Sequence, residues 1–234
     1  MRILLTGVAG FIGFHLASEL LKRKYSIIGL DNLNSYYSAK YKKHRIEILK
    51  KNKNFKFKKI DLKNKKKLSL LFKKNKPDYV FHLASQPGIM YSFKNPSTYI
   101  SNNILATKNL ILASINYNIK KFYFTSSSSV YGNKKKFPIK ENSKLKPINL
   151  YAKTKKQCEM MLIKCFKKTN IDLKIFRPFT VYGTFARPDM IFLTYLKKSL
   201  ENKSFYLFNK GNYTRDFTYV GDVAIILAKF LSVG

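Results

Sequence analysis

Short apolar runs alternate with longer amphipathic stretches along the chain, a rhythm that predicts βαβ units feeding a parallel sheet. Residues 2–6 read as the first strand and 11–24 as the helix after it. Strands two to four are expected over 25–30, 55–60 and 79–83. A long helix is expected over 96–116, a fifth strand over 121–125, a helix over 150–168 and a sixth strand over 173–176. Right-handed crossovers would stack these strands into one α/β, doubly wound parallel sheet.

After about Phe179 the rhythm breaks down. A helix is expected near 190–200, a short strand at Phe205-Tyr206-Leu207, then a polar loop and a helix over 223–231. The pattern divides the chain into one domain over 1–178 and the start of a smaller one over 179–234, which is expected to be incomplete. No apolar run reaches the roughly 18 residues that a spanning helix needs, so no membrane association is expected. The first strand leads straight into a glycine turn, unlike a secretory signal. Cys158 and Cys165 lie on one expected helix without histidines at ligand spacing. They read as reduced thiols rather than a disulfide or metal pair, which fits a cytoplasmic protein.

Composition changes this picture little. The formal net charge is +34, yet 40 of the 46 basic residues are Lys and only six are Arg. Lys, Ile, Phe, Asn and Tyr together supply 115 of the 234 residues, and all five have AT-rich codons. A basic surface can attract phosphate. Here the lysines are spread along the whole chain, with no zinc-finger spacing, Arg-rich helix or aromatic RNA-binding signature. Compositional drift on solvated faces accounts for them, and no specific nucleic-acid partner is expected.

Candidate chemistry begins at Gly7-Val8-Ala9-Gly10-Phe11-Ile12-Gly13. These glycines follow a strand and open a helix, the setting in which a backbone turn approaches a pyrophosphate at a helix N-terminus. The spacing is G-x-x-G-x-x-G, and a plain tight turn would also use glycines. Asp31 ends strand two, eighteen residues after Gly13. A carboxylate there accepts from adenosine ribose hydroxyls and favours NAD over NADP, and no Arg is expected beside it to hold a 2′-phosphate. Asp61 follows strand three and is expected either at the adenine edge or as a solvated strand end.

Tyr151 and Lys155 stand four apart on an expected helix and share a face. A phenol works as an acid or base when its anion is stabilised, and a Lys one turn away can do that. Forty lysines make this spacing easy to meet by chance. It gains weight from Thr125-Ser126-Ser127-Ser128-Ser129-Val130-Tyr131-Gly132, a hydroxyl-rich stretch at the carboxyl end of strand five, where ligands bind in such sheets.

Taken together, the glycine turn, Asp31, His82-Leu83-Ala84, the serine run and Tyr151…Lys155 resemble the extended short-chain dehydrogenase/reductase family. Leu30-Asp31-Asn32-Leu33-Asn34-Ser35-Tyr36-Tyr37, Phe179-Thr180-Val181-Tyr182-Gly183, Arg187-Pro188-Asp189-Met190 and Arg215-Asp216-Phe217 are most similar to the UDP-glucuronate 4-epimerases within it. The resemblance implies a Rossmann-type sheet, an NAD cofactor, a UDP-sugar substrate and a homodimer. It implies an isomerase that interconverts UDP-glucuronate and UDP-galacturonate through a 4-keto sugar. A neutral UDP-glucose or UDP-N-acetylglucosamine 4-epimerase, and an inactive NAD-binding remnant, are the other readings. Met90 stands where many relatives have Arg, and Ser85 where they have Ala. Ser128 and Ser129 replace the acid pair of the sugar-nucleotide dehydratases, and Ser129 the Glu of the decarboxylases.

The same resemblance implies residue roles. Ser127, Tyr151 and Lys155 would be catalytic. Gly7, Gly10, Phe11, Ile12, Gly13, Asp31, Asn32, Asp61, Leu62, Leu83, Ala84, Gln86, Asn103 and Phe179 would hold the cofactor together with Tyr151 and Lys155. Ser127, Ser128, Ser129, Thr180, Arg187 and Arg215 would bind substrate. Scarcity makes the arginines informative, because a retained Arg can mark a need for its planar fork. Arg187 is expected at the sugar carboxylate, Arg215 at the diphosphate, and Arg177 in a structural role.

Overall fold

The computed structural model describes residues 1–212 and 214–231. Tyr213 and residues 232–234, which belong to the expected second domain, lie outside the described residues. Among the described residues, six parallel strands form the central sheet. Their order is β3 (Phe55–Lys59), β2 (Ser26–Asp31), β1 (Arg2–Thr6), β4 (Tyr79–His82), β5 (Lys121–Thr125) and β6 (Asp172–Phe176). The order reverses between β1 and β4, and a crevice opens at the carboxyl ends of strands at such a switch point.

Both faces of the sheet are covered, so the central strands are apolar throughout rather than alternating. Leu4, Val80, Phe122 and Phe124 face α3 (Lys65–Asn75), α6 (Ala106–Asn116) and α7 (Leu150–Phe166). Ile3, Leu5, Phe81 and Tyr123 face α1 (Phe11–Lys22), α2 (Ala39–Lys50) and α9 (Val220–Lys229). Side-chain caps start two of the helices. Asn64 accepts from the Lys67 N–H at 3.0 Å before α3, and Asn149 from the Ala152 N–H at 2.9 Å before α7. The second cap fixes the turn that carries Tyr151.

The six strands expected in the sheet all form, and 2–6 and 121–125 match β1 and β5 residue for residue. Helices α2, α3 and α4 (Ile89–Lys94) were not legible in the pattern. In α2 only Ile46 and Leu49 supply an apolar face among lysines, so the 3.6-residue period is diluted. The expected helix over 96–116 forms in three pieces: α5 (Pro96–Tyr99), a π-helical turn (Ile100–Leu105) and α6.

The late segment departs most from expectation. Phe205-Tyr206-Leu207 is not a strand. Among the described residues no strand pairs with it, and the Phe205 ring stacks on Tyr195 of α8 (Ile191–Leu200) at 4.5 Å. The extended pair is instead β7 (Thr180–Tyr182) with β8 (Phe217–Tyr219), in parallel register. Three residues per strand are too few to show a period. From β8 the chain passes directly into α9, which packs Leu227 and Ala228 onto the β1–β4–β5 face.

Candidate active site

The glycine turn is built for close approach. Gly7 has φ of +72°, and a Cβ on it would lie 2.7 Å from the Ala84 nitrogen at the end of β4. A Cβ on Gly13 would overlap the Gly7 carbonyl. The turn is pinned to β2, because the Gly7 and Val8 N–H groups donate to the Leu30 carbonyl at 2.8 and 3.2 Å. Helix α1 then begins at Phe11 with no side-chain cap and no acidic residue in its first turn. Its first N–H groups and the positive end of its dipole therefore face the crevice.

Asp31 sits beside this turn. Its carboxylate accepts from the Ala9 N–H at 3.2 Å and the Leu33 N–H at 2.8 Å. Burial raises its pKa, against the N–H bonds and the charges of Lys42 and Arg45. The fold thus corrects the expectation that no Arg neighbours Asp31. Helix α2 brings Arg45 and Lys42 to it, although both are already engaged. Lys42 donates to the Asn34 carbonyl at 2.8 Å and to the Asn34 side chain. Arg45 donates to the carbonyls of Ala9 and Phe185 and to the Tyr37 hydroxyl.

A cavity of about 320 Å³ runs from this turn along the carboxyl edge of the sheet. Of the expected site residues, Gly7, Gly10, Phe11, Ile12, Gly13, Asp31, Asn32, Asp61, Leu62, Leu83 and Ala84 line it. At its other end stand Ser127, Tyr151, Lys155, Phe179, Thr180 and Arg187. Five expected residues are not among its lining. Gln86 and Asn103 are buried behind the wall and brace it: Asn103 accepts from the Gln86 N–H at 2.7 Å and donates to the Thr154 hydroxyl at 3.0 Å. Ser128 and Ser129 enter a 3₁₀ turn capped by Ser127, and the Ser129 hydroxyl donates to that of Ser127 at 2.9 Å. Arg215 is exposed, ahead of β8. Sequence reasoning missed Asn34, Tyr36, Tyr37, Lys42 and Met190, which also line the cavity.

Electrostatics single out the Tyr151 end. Burial raises the Tyr151 phenol above its ordinary pKa, while a hydrogen bond with Ser127 and the charge of Arg187 pull it back. Burial pushes Lys155 down to about 8, with Cys158 and Glu159 opposing. Its ammonium donates to the Thr125 carbonyl at 2.7 Å. Arg187 thus places a positive charge near the phenol, and Lys155 lines the same end of the cavity. Arg187 is held in a fork by Asp189 at 2.9 and 3.2 Å, and the Tyr36 hydroxyl donates to the same carboxylate at 3.0 Å. Burial would raise the Asp189 pKa, but the Arg187 bond and charge outweigh it and hold the carboxyl below its usual range. Arg177 is structural: it grips Glu159 at 2.7 and 2.9 Å and donates to the Tyr131 hydroxyl at 3.0 Å.

The residues present fit a dinucleotide. The glycine turn leaves room for a backbone approach, the uncapped α1 terminus suits a pyrophosphate, and the Asp31 carboxylate suits ribose hydroxyls. Among the described residues, no cluster of three or more His, Cys, Asp or Glu could hold a metal ion, and no helix is long and apolar enough to cross a membrane.

Comparison with known proteins agrees with this geometry. The model of the NAD dependent epimerase/dehydratase family matches residues 3–233. Protein CapI of Staphylococcus aureus is 40% identical over 232 residues, covering 99% of this chain and 69% of that protein. The UDP-glucuronate 4-epimerase of Thermodesulfobacterium geofontis is 38% identical over 222 residues, or 94% and 68% of the two chains. Among solved structures, the UDP-glucuronic acid 4-epimerase of Bacillus cereus, in complex with UDP-glucuronic acid and NAD, superposes with a TM-score of 0.93 at 38% identity. That match covers 99% of this chain and 73% of the other. The chain belongs to the NAD dependent epimerase/dehydratase family, and its cofactor is NAD.

Proposed function

We propose that the protein is a UDP-sugar 4-epimerase that interconverts UDP-glucuronate and UDP-galacturonate. One observation carries the reading: a single cavity joins a dinucleotide cradle to a half-buried Tyr151, which shares that end of the lining with Ser127, Lys155 and Arg187. The likeness to UDP-glucuronate 4-epimerases supports the choice of sugar. On this reading residues 1–178 hold the cofactor, and 179–234 contribute the sugar side.

NAD, when bound, supplies the acceptor and later the donor of the C4 hydride. The protein controls the proton and the geometry. Tyr151 takes the proton from the sugar 4-hydroxyl as the C4–H bond breaks, leaving a 4-keto sugar. Ser127 orients the phenol and stabilises its anion by donating to it. Arg187 adds a positive field that favours the same anion. Lys155 adds a second buried cation one helical turn along. The keto sugar presents its opposite face, hydride returns to C4, and Tyr151 returns the proton to O4. No atom is gained or lost, so the net change is inversion at C4.

Arg187 also suits a uronate. Asp189 occupies its Nε and one Nη, and the guanidinium keeps further N–H donors at the cavity for a carboxylate. Incubating the protein with NAD and UDP-glucuronate should yield UDP-galacturonate by chromatography. Tyr151→Phe should cut the rate by about 10²–10⁴-fold without moving the melting temperature. Unchanged UDP-glucuronate with the wild-type chain would overturn the reading.

A further inference from the structure

Arg45 is the largest fully buried side chain of the fold, at 1% exposure. It projects from the middle of α2, in a run of basic residues that reads as a solvated face. Among the described residues no carboxylate stands within ion-pair distance of it. A buried guanidinium without such a partner is costly unless its donors are well used. Three bonds use them, and each goes to a different part of the site. One Nη donates to the Ala9 carbonyl within the glycine turn and to the Tyr37 hydroxyl, both at 2.7 Å. The other Nη donates to the Phe185 carbonyl at 2.6 Å. The Nε is buried without a partner.

Phe185 belongs to the arm that leads from β7 to Arg187. Its φ is +57°, a left-handed conformation that an aromatic residue holds only when its surroundings impose it. Those surroundings come from the cofactor half of the protein. His15 bonds the Thr184 carbonyl at 2.9 Å, and the Phe185 ring lies against Phe14 at 4.8 Å and over His44 at 6.3 Å. Two residues farther on, Arg187 enters the cavity.

We propose that Arg45 is a positioning residue that couples the cofactor turn to the arm carrying Arg187. The guanidinium is rigid and planar, so its two Nη groups hold the Ala9 and Phe185 carbonyls at a fixed separation. A ligand that orders the glycine turn thereby orders the arm as well. By reciprocity, ordering the arm tightens the turn around its ligand. A Lys at this position would keep the charge and lose the fork, because an ammonium on a flexible stem cannot fix both carbonyls in one plane. The coupling rests on the NAD cradle alone and not on which sugar is turned over.

The test is amide hydrogen exchange of the 234-residue chain, read on peptides covering 183–190, with and without saturating NAD. Wild-type arm exchange should slow at least fivefold when NAD binds. Arg45→Lys should still bind NAD by calorimetry, yet the slowing should fall below twofold. A merely structural role would move the melting temperature and leave the NAD dependence of the arm intact. A folded Arg45→Lys variant with wild-type slowing would overturn the proposal. Should that variant fail to fold, the wild-type chain decides alone: an arm whose exchange ignores NAD overturns it, and one that slows at least fivefold supports it. Turnover enters neither arm of the test, so a failed epimerase assay leaves this result readable.

Discussion

The two halves of the molecule are held by different means. Through β6, strands and helices bury continuous apolar faces on both sides of one sheet, and residues such as Leu4, Leu110 and Phe122 are fully enclosed. Beyond Phe179, α8 buries none of its residues, and Phe192, Leu196 and Leu200 stay exposed. That segment is fixed at a few points: the β7–β8 pair, the underside of α9, and the contacts of Phe185 and Asp189 with the first half. Stability resides in the first half. The second reaches the site through a few polar and aromatic contacts and the small apolar cluster of Phe11, Val181 and Val220, whose worth lies in orientation.

Substitutions can break or sharpen this contrast. Leu110→Ala, in the enclosed half, should cost about 2–5 kcal/mol in urea unfolding, the range for a fully buried leucine. Arg187→Ala, in the anchored half, should cost about 1.5–3 kcal/mol of uronate affinity, a tenfold to hundredfold rise in KM for UDP-glucuronate. UDP-glucose should be affected far less, and an equal loss for both sugars would remove Arg187 from carboxylate recognition. Acid should weaken the enclosed half through His82, which is neutral between the hydroxyls of Thr6 and Thr107 at 2.8 and 2.9 Å. Burial depresses its pKa to about 3, against 6.5 for the unfolded chain. The unfolded state therefore binds the extra proton between those values. The contribution is complete above pH 6.5 and is lost at up to about 1.4 kcal/mol per pH unit as pH falls toward 3. His82→Gln should flatten that slope in urea titrations at pH 4 to 7. Leu200→Ala, on the exposed face of α8 at 78% exposure, should stay within about 0.5 kcal/mol of wild type. A cost near that of Leu110→Ala would erase the contrast.

The parts of the site that were legible in the sequence are those whose chemistry is local. Gly7, Gly10 and Gly13 announce a turn between a strand and a helix, and Tyr151 and Lys155 share a face by spacing alone. Arg45 and Lys42 were not legible. They reach Asp31 across a loop and a helix whose apolar period is diluted by lysine, and nothing in their neighbours distinguishes them from a solvated run. Arg187 was legible as a scarce fork, but the bond from Tyr36 to its partner Asp189 joins residues 153 apart in the chain. Lys155 was expected to act on the phenol. Its ammonium also donates to the Thr125 carbonyl, a contact that spacing does not reveal. The late strands escaped because three residues carry no period, and the β7–β8 pairing joins segments 37 residues apart.

The π-helical turn at Ile100–Leu105 has a consequence for how this site tolerates changes in chain length. Such a turn holds one more residue than an α-helical turn, and the helix on either side keeps its own angular phase. Asn102 faces the cavity, Asn103 turns inward to Gln86 and Thr154, and the Asn103 carbonyl takes the Cys158 thiol at 3.4 Å as well as the Ala106 N–H. Deleting a single residue here would let the ladder close into a plain α-helix. The two flanks would keep their relative phase, and the change would fall on the turn itself, which sends Asn102 to the cavity and Asn103 to the wall. Asn103 would leave the pocket wall even though its identity was unchanged. Between Pro96 and Asn116 the site is therefore specified by a count of residues as much as by their kind.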